Sequence, residues 1–76
     1  MKDMTKFLVV TPPYLMDAGP YEPGYEGSDV VEVVAANVRQ AKVLGLKELR
    51  RTRSQWVVDA ARENPFKGLR AERMEN

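Results

Sequence analysis

The sequence predicts a small α+β domain: a three-stranded sheet of order 2-1-3, in a ββαβ arrangement, with one main helix packed on one face. Three observations carry this prediction. Two β-rich runs, KFLVVT at 6–11 and DVVEVVA at 29–35, precede one run of helical period, VRQAKVLGLKELRRT at 38–52. A short alternating run, LRAERM at 69–74, follows a break at Asn64-Pro65. The chain has 76 residues, enough for one domain (1–76) that buries roughly 60% of its unfolded surface.

The first strand, Lys6 to Thr11, is almost continuously apolar, as expected of a central strand covered on both faces. Pro12 and Pro13 end it, because proline cannot donate to a ladder. Residues 14–28, YLMDAGPYEPGYEGS, contain five breakers: Gly19, Pro20, Pro23, Gly24 and Gly27. That density predicts a Tyr/Pro/Gly-rich loop without regular structure. The second strand, Asp29 to Ala35, alternates: Val31, Val33 and Ala35 share one face, Val30, Glu32 and Val34 the other. The two strands form a long-looped antiparallel hairpin.

Asn37 has the side chain of an N-cap. The helix runs from Val38 to about Thr52. Val38, Ala41, Leu44, Gly45, Leu46 and Leu49 form its broad apolar face. Arg39, Gln40, Lys47, Arg50 and Arg51 form the opposite face, with Val43 out of phase among them. Gly45 lies near the middle of the apolar face. Glycine costs about 1 kcal/mol there relative to alanine, so its presence predicts close approach of helix to sheet.

Ser54 to Glu63 leaves two readings open, a short second helix capped by Ser54 or an ordered loop pinned by Trp56; the loop, with at most a turn or two of helix, is the preferred one. Asn64-Pro65-Phe66 resembles a eukaryotic endocytic ligand tripeptide, but Asn-Pro also initiates turns. The expected role is the turn that starts the final strand, with Phe66 closing the core ahead of Leu69. The third strand spans Leu69 to Met74, with Leu69 and Ala71 facing inward. It runs parallel to the second strand and antiparallel to the first, through a right-handed crossover. One helix covers one face of such a sheet. On the other face lie Leu8, Val10, Val30, Val34 and Met74. The expectation is a monomer in which Trp56 and the Tyr14–Tyr25 segment fold across that face, in preference to a homodimer.

Hydrophobic residues are 43% and charged residues 30% of the chain, ordinary for a globular domain. There is no cysteine, hence no disulfide, no thiolate chemistry and no Cys-type zinc site, a composition that suits a reducing cytosol. There is no histidine, so the usual general base and the commonest metal ligand are missing. The chain is therefore not expected to be an enzyme. No cofactor is expected, and the acidic residues lack the spacing of a calcium loop. No stretch reaches the ~20 apolar residues of a membrane span, and Phe7 to Val10 is too short for a signal-peptide core. A cytoplasmic protein that avoids the membrane is expected.

The formal net charge of +1 hides a segregation. Tyr14 to Glu32 carries Asp17, Glu22, Glu26, Asp29 and Glu32 with no cation, a net of −5. Val38 to Arg53 carries Arg39, Lys42, Lys47, Arg50, Arg51 and Arg53 against Glu48, a net of +5. A basic helix face can contact phosphates. It is also what a solvated helix carries when cations complement the dipole at its C-terminus. Tyr14, Tyr21 and Tyr25 stand among prolines. Tyrosine-rich, proline-rich segments anchor interfaces, though the same rings can shelter a thin core.

A strand DVVEVVA, a capped helix with VRQAKVLGL and a closing NPFKGLRAERM resemble small uncharacterised proteins encoded by phages of actinobacteria, which also pair an LVVTP-like strand with a Tyr/Pro/Gly loop. The resemblance implies a phage-encoded protein made in a bacterial cytoplasm, and implies no functional residue. The expected function is a non-enzymatic interaction module that binds a host or phage macromolecule. The alternative is a nucleic-acid-binding protein that uses the basic helix. Arg39, Lys47, Arg50, Arg51, Tyr14, Tyr21 and Tyr25 are the candidate partner-binding residues.

Overall fold

In the computed structural model, which describes residues 4–16, 19–61 and 63–74, strand β1 (Thr5–Val10) is the centre of a three-stranded antiparallel sheet. Strand β4 (Val30–Ala35) pairs on one side, with Phe7 opposite Val33 and Val9 opposite Val31. Strand β5 (Arg70–Arg73) pairs on the other, with Val9 opposite Ala71. The sheet order is β4-β1-β5. The Thr11 amide donates to the Asp29 carbonyl at 3.0 Å, and the Met74 amide to the Lys6 carbonyl at 2.9 Å. In an antiparallel ladder bonded pairs alternate, so the odd-numbered residues of β1 bond to β4 and the even-numbered ones to β5.

The main helix, α1 (Val38–Arg51), lies on one face of this sheet. Asn37 caps it: its Oδ1 accepts from the Gln40 amide at 2.8 Å, while Gln40 Oε1 accepts from the Ala36 amide at 2.7 Å. This reciprocal pair satisfies two donors at the helix entrance. Ala41, Gly45, Leu46 and Leu49 are buried, and Val38 at the first turn is exposed. Under the helix lie Phe7, Val9 and Ala35, with Trp56 and Leu69 completing the core. A side chain of Leu or Phe size contributes roughly 1.5–3 kcal/mol when fully buried, so these few residues carry most of the hydrophobic stabilisation.

Two short helices follow: α2 (Gln55–Asp59), which buries Trp56, and α3 (Pro65–Gly68). Asn64 caps α3 by accepting from the Phe66 amide at 3.1 Å, and Pro65 occupies the first turn, where its missing N–H costs nothing. Asn64-Pro65-Phe66 thus starts a single helical turn that leads into β5, and Phe66 packs against the core.

Three expectations are corrected. Residues 14–28 are not all loop: β2 (Tyr14–Met16) and β3 (Tyr25–Gly27) form a separate antiparallel ribbon. Four of the five breakers fall between the strands, leaving Tyr14–Met16 and Tyr25–Glu26 free to extend. At Gly24 a Cβ would lie 2.9 Å from the Met16 carbonyl oxygen, so the glycine permits the close return. The plain ββαβ arrangement is therefore elaborated, the sheet being built from the first, fourth and fifth strands. The far face is not covered by Trp56, which is 8% exposed within the helix-side core. Val30 and Val34 remain about half exposed, and β1 is fully buried on one face only, at Phe7 and Val9.

Candidate functional site

At 100° per residue, Arg39, Val43, Leu46, Lys47 and Arg50 fall within an arc of about 100° along α1. Leu46 turns toward the core, while Val43 is half exposed. Phe66 of α3 lies across from them. Together Val43, Leu46, Lys47, Arg50 and Phe66 line a notch of about 350 Å³. Its floor is apolar and its rim carries the Lys47 and Arg50 cations. Lys42 adds a third cation nearby, its Nζ 5.8 Å from the centre of the Phe66 ring, a cation–π distance.

The expected basic residues divide. Arg51 is engaged by Glu48, with Nε at 3.1 Å and an amino group at 2.5 Å from the carboxylate. That pairing lowers the Glu48 pKa and raises that of Arg51 through the same hydrogen bond. Lys47 and Arg50 form no ion pair with a described carboxylate. Arg39 stands at the other end of the stripe, beside Met4, Gln40 and Val43.

The three tyrosines also divide. Tyr14 is half-buried and donates its hydroxyl to Asp29 Oδ2 at 2.5 Å. The Ser54 hydroxyl donates to the same oxygen. The Asp29 amide donates to Thr11 Oγ1 at 2.9 Å. Asp29 thereby ties the ribbon, the start of β4 and the start of α2 together. Burial, reinforced by the hydrogen bond to Asp29, pushes the Tyr14 phenol above its ordinary pKa of 10.0. Tyr21 is 97% exposed on the ribbon's turn, and Tyr25 is exposed on β3. The structure therefore places Tyr14 in a structural clasp and presents Tyr21 and Tyr25 to solvent.

The ribbon carries a further pair that the sequence reading missed. Leu15 lies opposite Glu26, so the two side chains share one ribbon face. Leu15 is 68% exposed. The notch itself was signalled only by Val43, the apolar residue out of phase on the basic face. Nothing in the sequence places Phe66 beside it. A second groove, between α1 and the open edge of β4, is lined by Val31, Val33, Val34 and Leu44, with Glu32, Glu48 and Lys47 around them.

Among the described residues no group of three His, Cys, Asp or Glu side chains is arranged to hold a metal ion. No described helix is long and apolar enough to cross a membrane. Compared with protein-family models, curated proteins and solved structures, the chain gives no significant match.

Proposed function

We propose that the chain is a non-enzymatic interaction module that receives an acidic, partly apolar segment of a protein partner in the α1–α3 notch. The carrying observation is the notch itself: an apolar floor of Val43, Leu46 and Phe66 with Lys47 and Arg50 at its rim. Apolar floors supply affinity and rim charges supply orientation and partner choice. With the phage resemblance of its sequence, the partner class is a host or phage protein, met in the bacterial cytoplasm. The absence of histidine and cysteine supports a binding role over catalysis.

Nucleic-acid binding is the second reading, favoured by the stripe of Arg39, Lys47 and Arg50, none of which forms an ion pair with a described carboxylate. A phosphate backbone uses the cations and leaves the apolar floor idle, which is why the protein reading is preferred. Fluorescence anisotropy separates the two. Labelled poly(Glu,Tyr) is expected to bind, poly(Glu) to bind more weakly, and Lys47→Gln with Arg50→Gln to reduce both. Binding of duplex DNA or single-stranded RNA at about 50 mM salt, lost by about 200 mM, with no preference for poly(Glu,Tyr), makes the nucleic-acid reading the correct one.

A further inference from the structure

The acidic ribbon and the basic stripe of α1 belong to one chain. No ion pair joins a described ribbon carboxylate to Arg39, Lys47 or Arg50. Each surface is also amphipathic in the complementary sense. The ribbon presents Leu15 beside Glu26 on one face, with the fully exposed Tyr21 and its neighbour Glu22 at the turn. The notch presents Leu46 and Phe66 beside Lys47 and Arg50. A leucine flanked by a carboxylate fits a leucine- and phenylalanine-floored notch flanked by cations.

Resting on the interaction-module reading, we propose that the occupant of the notch is the β2–β3 ribbon of a second copy of this chain. Leu15 inserts over Leu46 and Phe66, and Glu26 pairs with Lys47 or Arg50. The two surfaces are different patches of one molecule, so the contact is heterologous. It joins copies head to tail, closing into a ring or extending as a chain. Opposite charges steer the encounter, and salt weakens it.

Heterologous contacts allow a test that isologous ones do not. Sedimentation velocity of the full chain is expected to show oligomers at low ionic strength that dissociate as salt rises. A ribbon variant, Leu15→Ser with Glu26→Gln, and a notch variant, Lys47→Gln with Arg50→Gln, should each lower self-association by about tenfold or more. All four side chains are at least partly solvent-exposed, and far-UV circular dichroism checks that both variants keep the fold. Mixed together, the two variants should restore one junction and form a complex of two chains, because each supplies the surface the other lacks. A wild type that stays monomeric at low salt overturns the proposal, as does self-association that neither variant reduces or that mixing does not restore. If the wild type is monomeric while poly(Glu,Tyr) still binds the notch, the interaction reading stands and the occupant is a different protein. If neither associates with the notch, both readings fall.

Discussion

Gly45 of α1 lies directly over Val9 of β1: a Cβ built on the glycine would fall 2.5–2.7 Å from the Cβ and both Cγ atoms of Val9. No real Cβ tolerates such distances, and Val9 is completely buried at the centre of the sheet. The glycine thus sets the spacing between helix and sheet, which in turn sets the height of the notch residues above the core.

The first prediction follows from that contact. In an exposed helix Gly→Ala gains about 1 kcal/mol. Here the overpacking outweighs the gain, and Gly45→Ala is expected to destabilise by roughly 1–3 kcal/mol. Urea denaturation measures it. Val9→Ala removes the two Cγ atoms from the contact, so the double variant should cost less than the sum of the two singles. An equal or higher urea midpoint for Gly45→Ala alone contradicts the packing described.

The second prediction concerns the end of α1. Arg53 follows the C-cap Thr52 with φ of 55°, in the left-handed region, and its side chain is exposed. The Ser54 amide bonds back to the Leu49 carbonyl at 3.1 Å, so the conformation is held by the helix terminus. Left-handed backbone costs a non-glycine residue about 1 kcal/mol. Arg53→Gly should therefore raise stability by about 0.5–1 kcal/mol, while Arg53→Val should lower it. A melting temperature that falls for the glycine variant refutes the assignment.

The third prediction is the pH dependence set by the Asp29 clasp. The folded state holds the Tyr14 phenol above its ordinary pKa, mainly through burial and then through Asp29. The folded state therefore keeps a proton that the unfolded chain releases near pH 10. The stabilisation is complete below that value and is lost as pH rises through the raised folded pKa. Unfolding free energy should decline in the wild type as pH rises above about 10. In Tyr14→Phe the decline should be shallower, from a lower starting stability because Asp29 loses a donor. Parallel slopes for the two proteins remove the clasp as the cause.

What the sequence revealed, and what it hid, follows from the range of the signals. The Asn37 cap, the apolar face of α1 from Ala41 to Leu49 and the alternation of Val31, Val33 and Ala35 are local patterns, and the structure carries each of them, with Val38 alone of the expected face exposed. The apolar run of β1 matches its centre position, although the run is fully buried on one face only, at Phe7 and Val9. The ribbon was hidden because its proline and glycine content masks two three-residue strands, too short to show alternation. The notch was hidden because it needs α3 to return Phe66 to α1, twenty residues after Leu46. The Asp29 clasp joins residues 14, 29 and 54, a juxtaposition that no spacing in the sequence reveals.

The last prediction concerns the open face of the sheet. Val34 lies opposite Lys6 on that face and is 47% exposed, and Lys6 Nζ also reaches Glu32 at 3.3 Å. If that face were the main association surface, Val34→Glu would place a charge in its middle and disperse any oligomer. If association runs through the ribbon and the notch, the same substitution leaves it intact. The new carboxylate lies across from Lys6, and an exposed cross-strand ion pair is worth about 0–1 kcal/mol, offsetting part of the lost β-branched packing. Val34→Glu is therefore expected to change stability by less than about 1 kcal/mol and to leave the sedimentation profile of the wild type unchanged at every salt concentration. Dissociation caused by Val34→Glu, with Leu15→Ser and Glu26→Gln silent, would move the interface from the helix side of the molecule to the open sheet.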